Sequence, residues 1–162
     1  MHGLVHQINV KPKVPGQRGL PKTPVDSAFI SRRGVVGDYN VYRQEELKGD
    51  PDSAILLFPM ETIRELTAEG WPINPGDLGE NLTTSGIQYS DFTIGTELAI
   101  GDARLQVSRA CDPCDNLFLL PYVGPAKGPA FLRTMLGRRG WYARVLVEGS
   151  VKKGDAIMDA TG

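Results

Sequence analysis

The chain has 162 residues, a formal net charge of -1 and 41% hydrophobic residues, enough apolar material for a single globular domain over residues 1–162 to bury a real core. Near-neutral charge without a basic run argues against nucleic acid or an anionic membrane as the main partner, because both need clustered Lys and Arg. Met1 to Gly16 lacks a signal-peptide core, no apolar run approaches the ~20 residues that span a bilayer, and two cysteines do not make a disulfide framework, so the expected setting is the reducing cytoplasm.

In chain order, Val5 to Val10 reads as a first strand. Lys11 to Pro24, with four prolines and two glycines, reads as an extended loop. Val25 to Ser31 suits a second strand and runs into the glycine turn Gly34 to Asp38. The polar stretch Asp38-Tyr39-Asn40-Val41-Tyr42-Arg43 follows, either a strand-end site using Asn40 and Arg43 or a polar loop capped by Asp38. After the turn cluster Lys48 to Asp52, Ala54 to Phe58 is a short continuous apolar run, as in a buried strand.

Pro59 to Gly70 is the clearest helix, with Pro59 near its start, Ile63 and Leu66 on one side and Gly70 as its C-terminal cap. Trp71 to Gly79 returns to Pro/Gly-rich loop and delivers Gly79-Glu80-Asn81-Leu82-Thr83. Asn81-Leu82-Thr83 fits a glycosylation pattern, a chance match without a secretory signal. Thr93 to Ile100 and Ala103 to Val107, joined by Gly101-Asp102, read as a tight hairpin. Phe131 to Leu136 is a short helix ended by Gly137, Trp141 to Val147 alternates as a strand, and a last strand lies near Ala156 to Met158. With 19 Gly and 12 Pro spread along the chain, many short strands and one or two helices predict a mainly β fold, a closed or nearly closed barrel with a few short helices.

Both cysteines fall in Ser108-Arg109-Ala110-Cys111-Asp112-Pro113-Cys114-Asp115-Asn116-Leu117. A thiolate is the soft nucleophile and soft-metal ligand of the set, so thiol chemistry belongs here. Leu105 to Ser108 reads as a strand end and Asp112-Pro113 as a turn, which puts the cysteines on a loop at the end of the sheet. Arg109 favours a thiolate nearby, whereas Asp112 and Asp115 oppose it.

Gly34-Val35-Val36-Gly37-Asp38, Gly76-Asp77-Leu78-Gly79-Glu80-Asn81-Leu82-Thr83, the Ile94-Gly95 and Ile100-Gly101 turns, Ser108 with Pro113-Cys114, and Gly140-Trp141-Tyr142-Ala143-Arg144-Val145-Leu146 with Gly149 and Gly154-Asp155 stand in the order of one family. The chain resembles the MOSC domain, named for the C-terminal domain of molybdenum cofactor sulfurases, over nearly its whole length. The resemblance implies a mostly β barrel that carries sulfur, or that binds the molybdenum cofactor (molybdopterin) through an essential cysteine. Its activity would be sulfur transfer or molybdenum-dependent reduction. Cys114 after Pro113 matches that cysteine, as metal or persulfide thiol, and Cys111 is an extra that would assist it. The cofactor's phosphate calls for cations or hydrogen-bonding groups, for which Arg109, Arg138 and Arg139 are placed, with Glu80 and Asn81 lining the site. Pyridoxal phosphate is expected only on a partner, a cysteine desulfurase-like sulfur donor. Many standalone members carry histidines and a His-Gly-Gly after the Gly-Asp turn, where this chain has Asp38 to Arg43 and Lys48-Gly49-Asp50.

Other readings stand beside this one. Glu80 and Asn81 also suit a turn that closes backbone hydrogen bonds, Arg138 and Arg139 a solvated pair at a helix end, and Trp141 and Tyr142 the core. Cys111 and Cys114 with His2 and His6 supply the ligands of a tetrahedral zinc site, and the same cysteines those of a dithiol redox module. A barrel that binds a small molecule without catalysis is the third alternative.

Overall fold

The computed structural model describes residues 1–39 and 47–161. Among these, eleven strands and two α-helices are joined by short 3-10 turns. The strands are β1 (His2–Val10), β2 (Thr23–Val25), β3 (Ser27–Ser31), β4 (Gly34–Val35), β5 (Ile55–Pro59), β6 (Leu82–Ser85), β7 (Glu97–Ile100), β8 (Ala103–Ala110), β9 (Trp141–Val147), β10 (Gly149–Lys152) and β11 (Ala156–Asp159). The helices are α1 (Met60–Ala68) and α2 (Gly124–Met135).

Seven strands close a barrel in the order β11, β7, β8, β9, β5, β6, β1, and β1 returns to β11 with His2 opposite Met158 and Leu4 opposite Ala156. Closure removes the exposed strand edges of an open sheet. Further along β1, Ile8 to Val10 pair with β2. A register shift against β6 between Val5 and Gln7 leaves His6 as the extra residue, a bulge that bends the strand. β10, β3 and β4 form a small separate sheet.

β5 runs parallel to β6, and α1 lies in the connection that such a pairing needs. This explains the continuous apolar run in β5, which is buried on both faces. Ile55 and Leu57 enter the barrel core with Val5, Leu105 and Val145. Phe58 turns the other way, into a second core with Ile63 and Leu66 of α1, Phe131 and Met135 of α2, Leu78 and Leu117.

Two expectations need correction. The strand expected over Val25 to Ser31 is two strands, broken at Asp26, because Thr23–Val25 pairs with β1 while Ser27–Ser31 pairs with β10. The short helix expected over Phe131 to Leu136 begins seven residues earlier, at Gly124. Two prolines hid it. Pro125 sits in the first turn, where its missing N–H costs nothing, and Pro129 lies inside the helix. The apolar contacts of Phe131 and Met135 in the second core outweigh the one hydrogen bond that Pro129 removes.

Candidate functional site

Cys111 follows directly on β8, and its backbone N–H donates to Gly140 O at 2.8 Å, just before β9 begins. Its side chain is buried against Leu56 and Tyr142. Cys114, three residues on, is half-buried. Residues 111–114 run without regular structure and the chain coils only in the 3-10 turn Asp115–Leu119, so the expected turn at Asp112-Pro113 lies slightly later. Both thiols are free, and both line one cavity of about 160 Å³ together with Arg18, Lys22, Arg139, Asn116, Asp112 and Tyr142.

Leu78 and Gly79 also line the cavity, and the segment that carries them, residues 76–82, organises that part of its wall. The Gly76 N–H donates to Glu80 Oε1 at 2.6 Å, and Thr83 Oγ1 donates to the same oxygen at 2.9 Å. Gly76 has φ +93, and a Cβ there would lie 2.6 Å from Lys22 O, so only glycine lets the two backbones meet. In return Gly76 O accepts from Lys22 N–H at 2.9 Å. Leu78 O accepts from Arg139 Nη2 at 2.6 Å. Asn81 accepts from Leu56 N–H at 3.1 Å and donates to Asp38 Oδ2 at 2.9 Å. Asp38 in turn pairs with Lys22 Nζ at 2.5 Å. The segment therefore holds one cavity cation on each side, Lys22 through Gly76 and Asp38, and Arg139 through Leu78.

The electrostatics of this wall are unusual for a buried region. Arg139 is 5% exposed, yet its Nε and Nη1 have no hydrogen-bond partner. A guanidinium cannot shed its charge, so donors left over in this way call for an acceptor. Burial pushes the Glu80 carboxyl above its ordinary value, against its hydrogen bonds and the attraction of Arg139. Burial pulls Lys22 below its ordinary value, with Asp38 opposing. Burial and the nearby Cys111 raise the Tyr142 phenol.

Of the residues expected at the site, Cys111, Cys114 and Arg139 meet at the cavity. Glu80 and Asn81 are buried in the wall, where they close hydrogen bonds and do not line the cavity. Arg109 is also displaced from it. Its guanidinium bonds Ser53 Oγ at 2.6 Å and stacks 4.7 Å from the Tyr142 ring centre, supporting the wall from behind. Arg138 is drawn away by a two-pronged contact with Glu69, at 2.6 and 2.8 Å. It belongs to the helical side of the molecule and does not line the cavity. Asn40 and Arg43 lie outside the described residues. The zinc set is not assembled: no group of three or more His, Cys, Asp or Glu able to hold a metal ion occurs among the described residues. His2 and His6 lie on β1, which pairs with β11, β6 and β2 and not with the strands that carry the cysteine loop.

Sequence reasoning missed Arg18, Lys22 and Tyr142 as cavity residues. Tyr142 alternates as a core residue and is buried, but its burial is against Cys111 and not in the barrel. Arg18 and Lys22 sit in the proline-rich loop, where Lys11 and Lys13 are equally basic, so residue type alone could not single them out. Arg18 is fixed over the cysteine loop by Asn116, with Nη1 3.1 Å from its Oδ1.

The chain is 31% identical to YflK of Bacillus subtilis over 144 residues, 85% of this chain and 61% of that protein. It is 28% identical to YiiM of Escherichia coli over 137 residues, 82% of this chain and 59% of that protein. It thus spans about 60% of the length of these curated relatives. The crystal structure of YiiM from Geobacillus stearothermophilus superposes with a TM-score of 0.74 at 28% identity, covering 98% of this chain and 75% of that one. The MOSC domain model matches residues 44–158, most of the barrel and the whole cysteine loop, and the chain belongs to the MOSC domain family.

Proposed function

We propose that this protein handles sulfur through Cys114, either carrying sulfane sulfur or binding the sulfur-bearing molybdenum cofactor, with the Cys114 thiolate as the reacting or ligating atom. What supports the reading above all is that two free thiols and three cations, Arg18, Lys22 and Arg139, open on one cavity. Cys114 is the accessible thiol of the two, and the buried Cys111 assists from the cavity wall.

The residues fit the cofactor that the family is known for. A thiolate suits a soft metal, and the unpartnered Nε and Nη1 of Arg139 suit an anionic group such as a phosphate. Cys114 would hold the metal, and Arg139, Lys22 and Arg18 the phosphate. Bound there, the cofactor would supply atom-transfer chemistry at molybdenum. The protein's own part is to present the thiolate, to neutralise the ligand's charge and to keep Tyr142 and Leu56 packed behind Cys111. Pyridoxal phosphate stays on a partner, a cysteine desulfurase-like donor that delivers sulfur to Cys114. Free thiols fit the reducing cytoplasm. Among the described residues no helix is long and apolar enough to cross a membrane.

The test is elemental analysis and native mass spectrometry of the protein and of Cys114→Ser, purified from cells that make the molybdenum cofactor. Molybdenum with pterin, or a mass gain of one sulfur, present in the wild type and lost in the variant supports the proposal. Binding retained by Cys114→Ser would sink it, in favour of a barrel that binds a small molecule without thiol chemistry.

A further inference from the structure

The cavity carries more cationic character than a protein-borne persulfide requires. A persulfide delivered from a partner enters as a single anionic sulfur. Here Arg18, Lys22 and Arg139 line the cavity with one carboxylate, Asp112, around the two thiols, and because Asp38 already meets the charge of Lys22, the two guanidinium groups carry the cavity's cationic character. Arg139 is nine-tenths buried, is anchored to the wall through Nη2 alone, and keeps two further nitrogens without partners. Lys22 is buried at the same cavity and held in place by Asp38. Arg18 is exposed, is held by Asn116 and lines the same cavity as Cys114. Buried, fixed guanidinium groups match the oxygens of small oxyanions, whose charge they meet without reorganising.

We propose that the sulfur donor class includes small sulfur oxyanions, with thiosulfate as the simplest, and that the protein has a thiosulfate:thiol sulfurtransferase half-reaction. The inference rests on the sulfur-carrier reading above and names a donor for it. The Cys114 thiolate attacks the outer, sulfane sulfur of thiosulfate. A Cys114 Sγ–S bond forms as the sulfur–sulfur bond of thiosulfate breaks, and the electron pair of that bond leaves with sulfite. The products are the Cys114 perthiolate and one sulfite ion, so charge, atoms and electrons balance without an external oxidant or reductant. Arg139 and Arg18 neutralise the sulfonate end, where negative charge grows as sulfite departs, while Lys22 stays paired with Asp38 in the wall.

The test treats reduced wild-type protein with inorganic thiosulfate and reads two products, sulfite in solution and a mass gain of one sulfur on the peptide that carries Cys114. One sulfite per chain together with that gain is expected, and both are lost in Cys114→Ser. Arg18→Glu at the exposed mouth, which leaves the buried wall untouched, raises the half-saturating thiosulfate concentration by roughly tenfold, the scale of one charge-assisted contact. Raising ionic strength weakens loading of the wild type in the same direction. Sodium polysulfide, a donor without a sulfonate, is run in parallel on the wild type and Cys114→Ser. If polysulfide loads Cys114 but thiosulfate does not, the carrier reading stands and the oxyanion donor is overturned. If neither loads Cys114, both fall. Thiosulfate loading that is indifferent to Arg18→Glu and to salt also overturns the proposal, because the cations would then have no part in it.

Discussion

The ring of Phe118 rests in the space that a side chain at Gly128 would fill: a Cβ built on Gly128 would lie 2.3 Å from Phe118 Cε1. Phe118 belongs to the turn that starts directly after Cys114, and Gly128 to the middle of α2. The close approach sets where the cysteine loop lies on the helical side. Gly128→Ala should therefore force Phe118 aside and destabilise the fold by about 1–3 kcal/mol, the usual range for overpacking. Denaturation in urea gives the stability, and thiol titration shows whether Cys114 becomes more reactive. An alanine that changes neither would mean that Phe118 does not hold the loop.

The two thiols differ in access, since Cys111 is 5% exposed and Cys114 half-buried. Under native conditions an alkylating reagent should modify Cys114 at least about tenfold faster than Cys111, and unfolding should erase the difference. Cys114→Ser should leave stability within about 0.5 kcal/mol of wild type. Cys111→Ser, which puts a hydroxyl against Leu56 and Tyr142, should cost about 1–3 kcal/mol. Peptide mapping of the alkylated protein and two melting curves decide the point.

Asn81 joins the barrel to the cavity, because one amide satisfies the Leu56 N–H and steadies Asp38. Asn81→Ala leaves a buried N–H without a partner and frees Asp38, the carboxylate that pairs with Lys22. A loss of about 2–4 kcal/mol is expected. Asn81→Asp keeps the acceptor for Leu56 but sets a carboxylate against Asp38, so it should not rescue the loss. Chemical denaturation of both variants measures this, and rescue by aspartate would show that the contact to Asp38 is unimportant.

Glu80 gives a pH signature. Burial raises its carboxyl above the ordinary 4.5, so the folded state binds this proton more tightly than the unfolded one. Its contribution to stability is complete below about pH 4.5 and is lost as pH rises through the raised folded value. Glu80→Gln removes the titration. The stability difference, variant minus wild type, should move in favour of the variant as pH rises above 4.5 and then level off. Lys22, pulled down by burial, contributes a window that ends at its ordinary 10.5; it is present in both proteins, so it drops out of the difference between them. A difference that stays flat from acid to neutral pH would exclude Glu80 as the source.

Much of the barrel was legible because its cues are local. Period-two alternation marked Trp141 to Val147, the Gly101-Asp102 pair marked the hairpin of β7 and β8, and Pro59 and Gly70 bracketed α1. The cysteine loop was legible from residue chemistry alone. The cationic half of the cavity was not, because Arg18 and Lys22 reach it through contacts more than fifty residues away, to Asn116 and Gly76. Arg138 and Arg139 show the same limit more sharply. They are neighbours with identical side chains, and only the fold sends one to Glu69 and the other to Leu78 O.

The pairing of His2 to Leu4 with Ala156 to Met158 makes the barrel's closing seam a contact between residues more than 150 positions apart. A barrel whose first strand is sealed by its last cannot shut until the whole length between them has emerged, so β1 must stay unpaired on that edge through most of translation. Meanwhile its other edge has β6 available much earlier. The last strand follows the cysteine loop by some forty residues, so the seam that closes the barrel is the last pairing the chain can make.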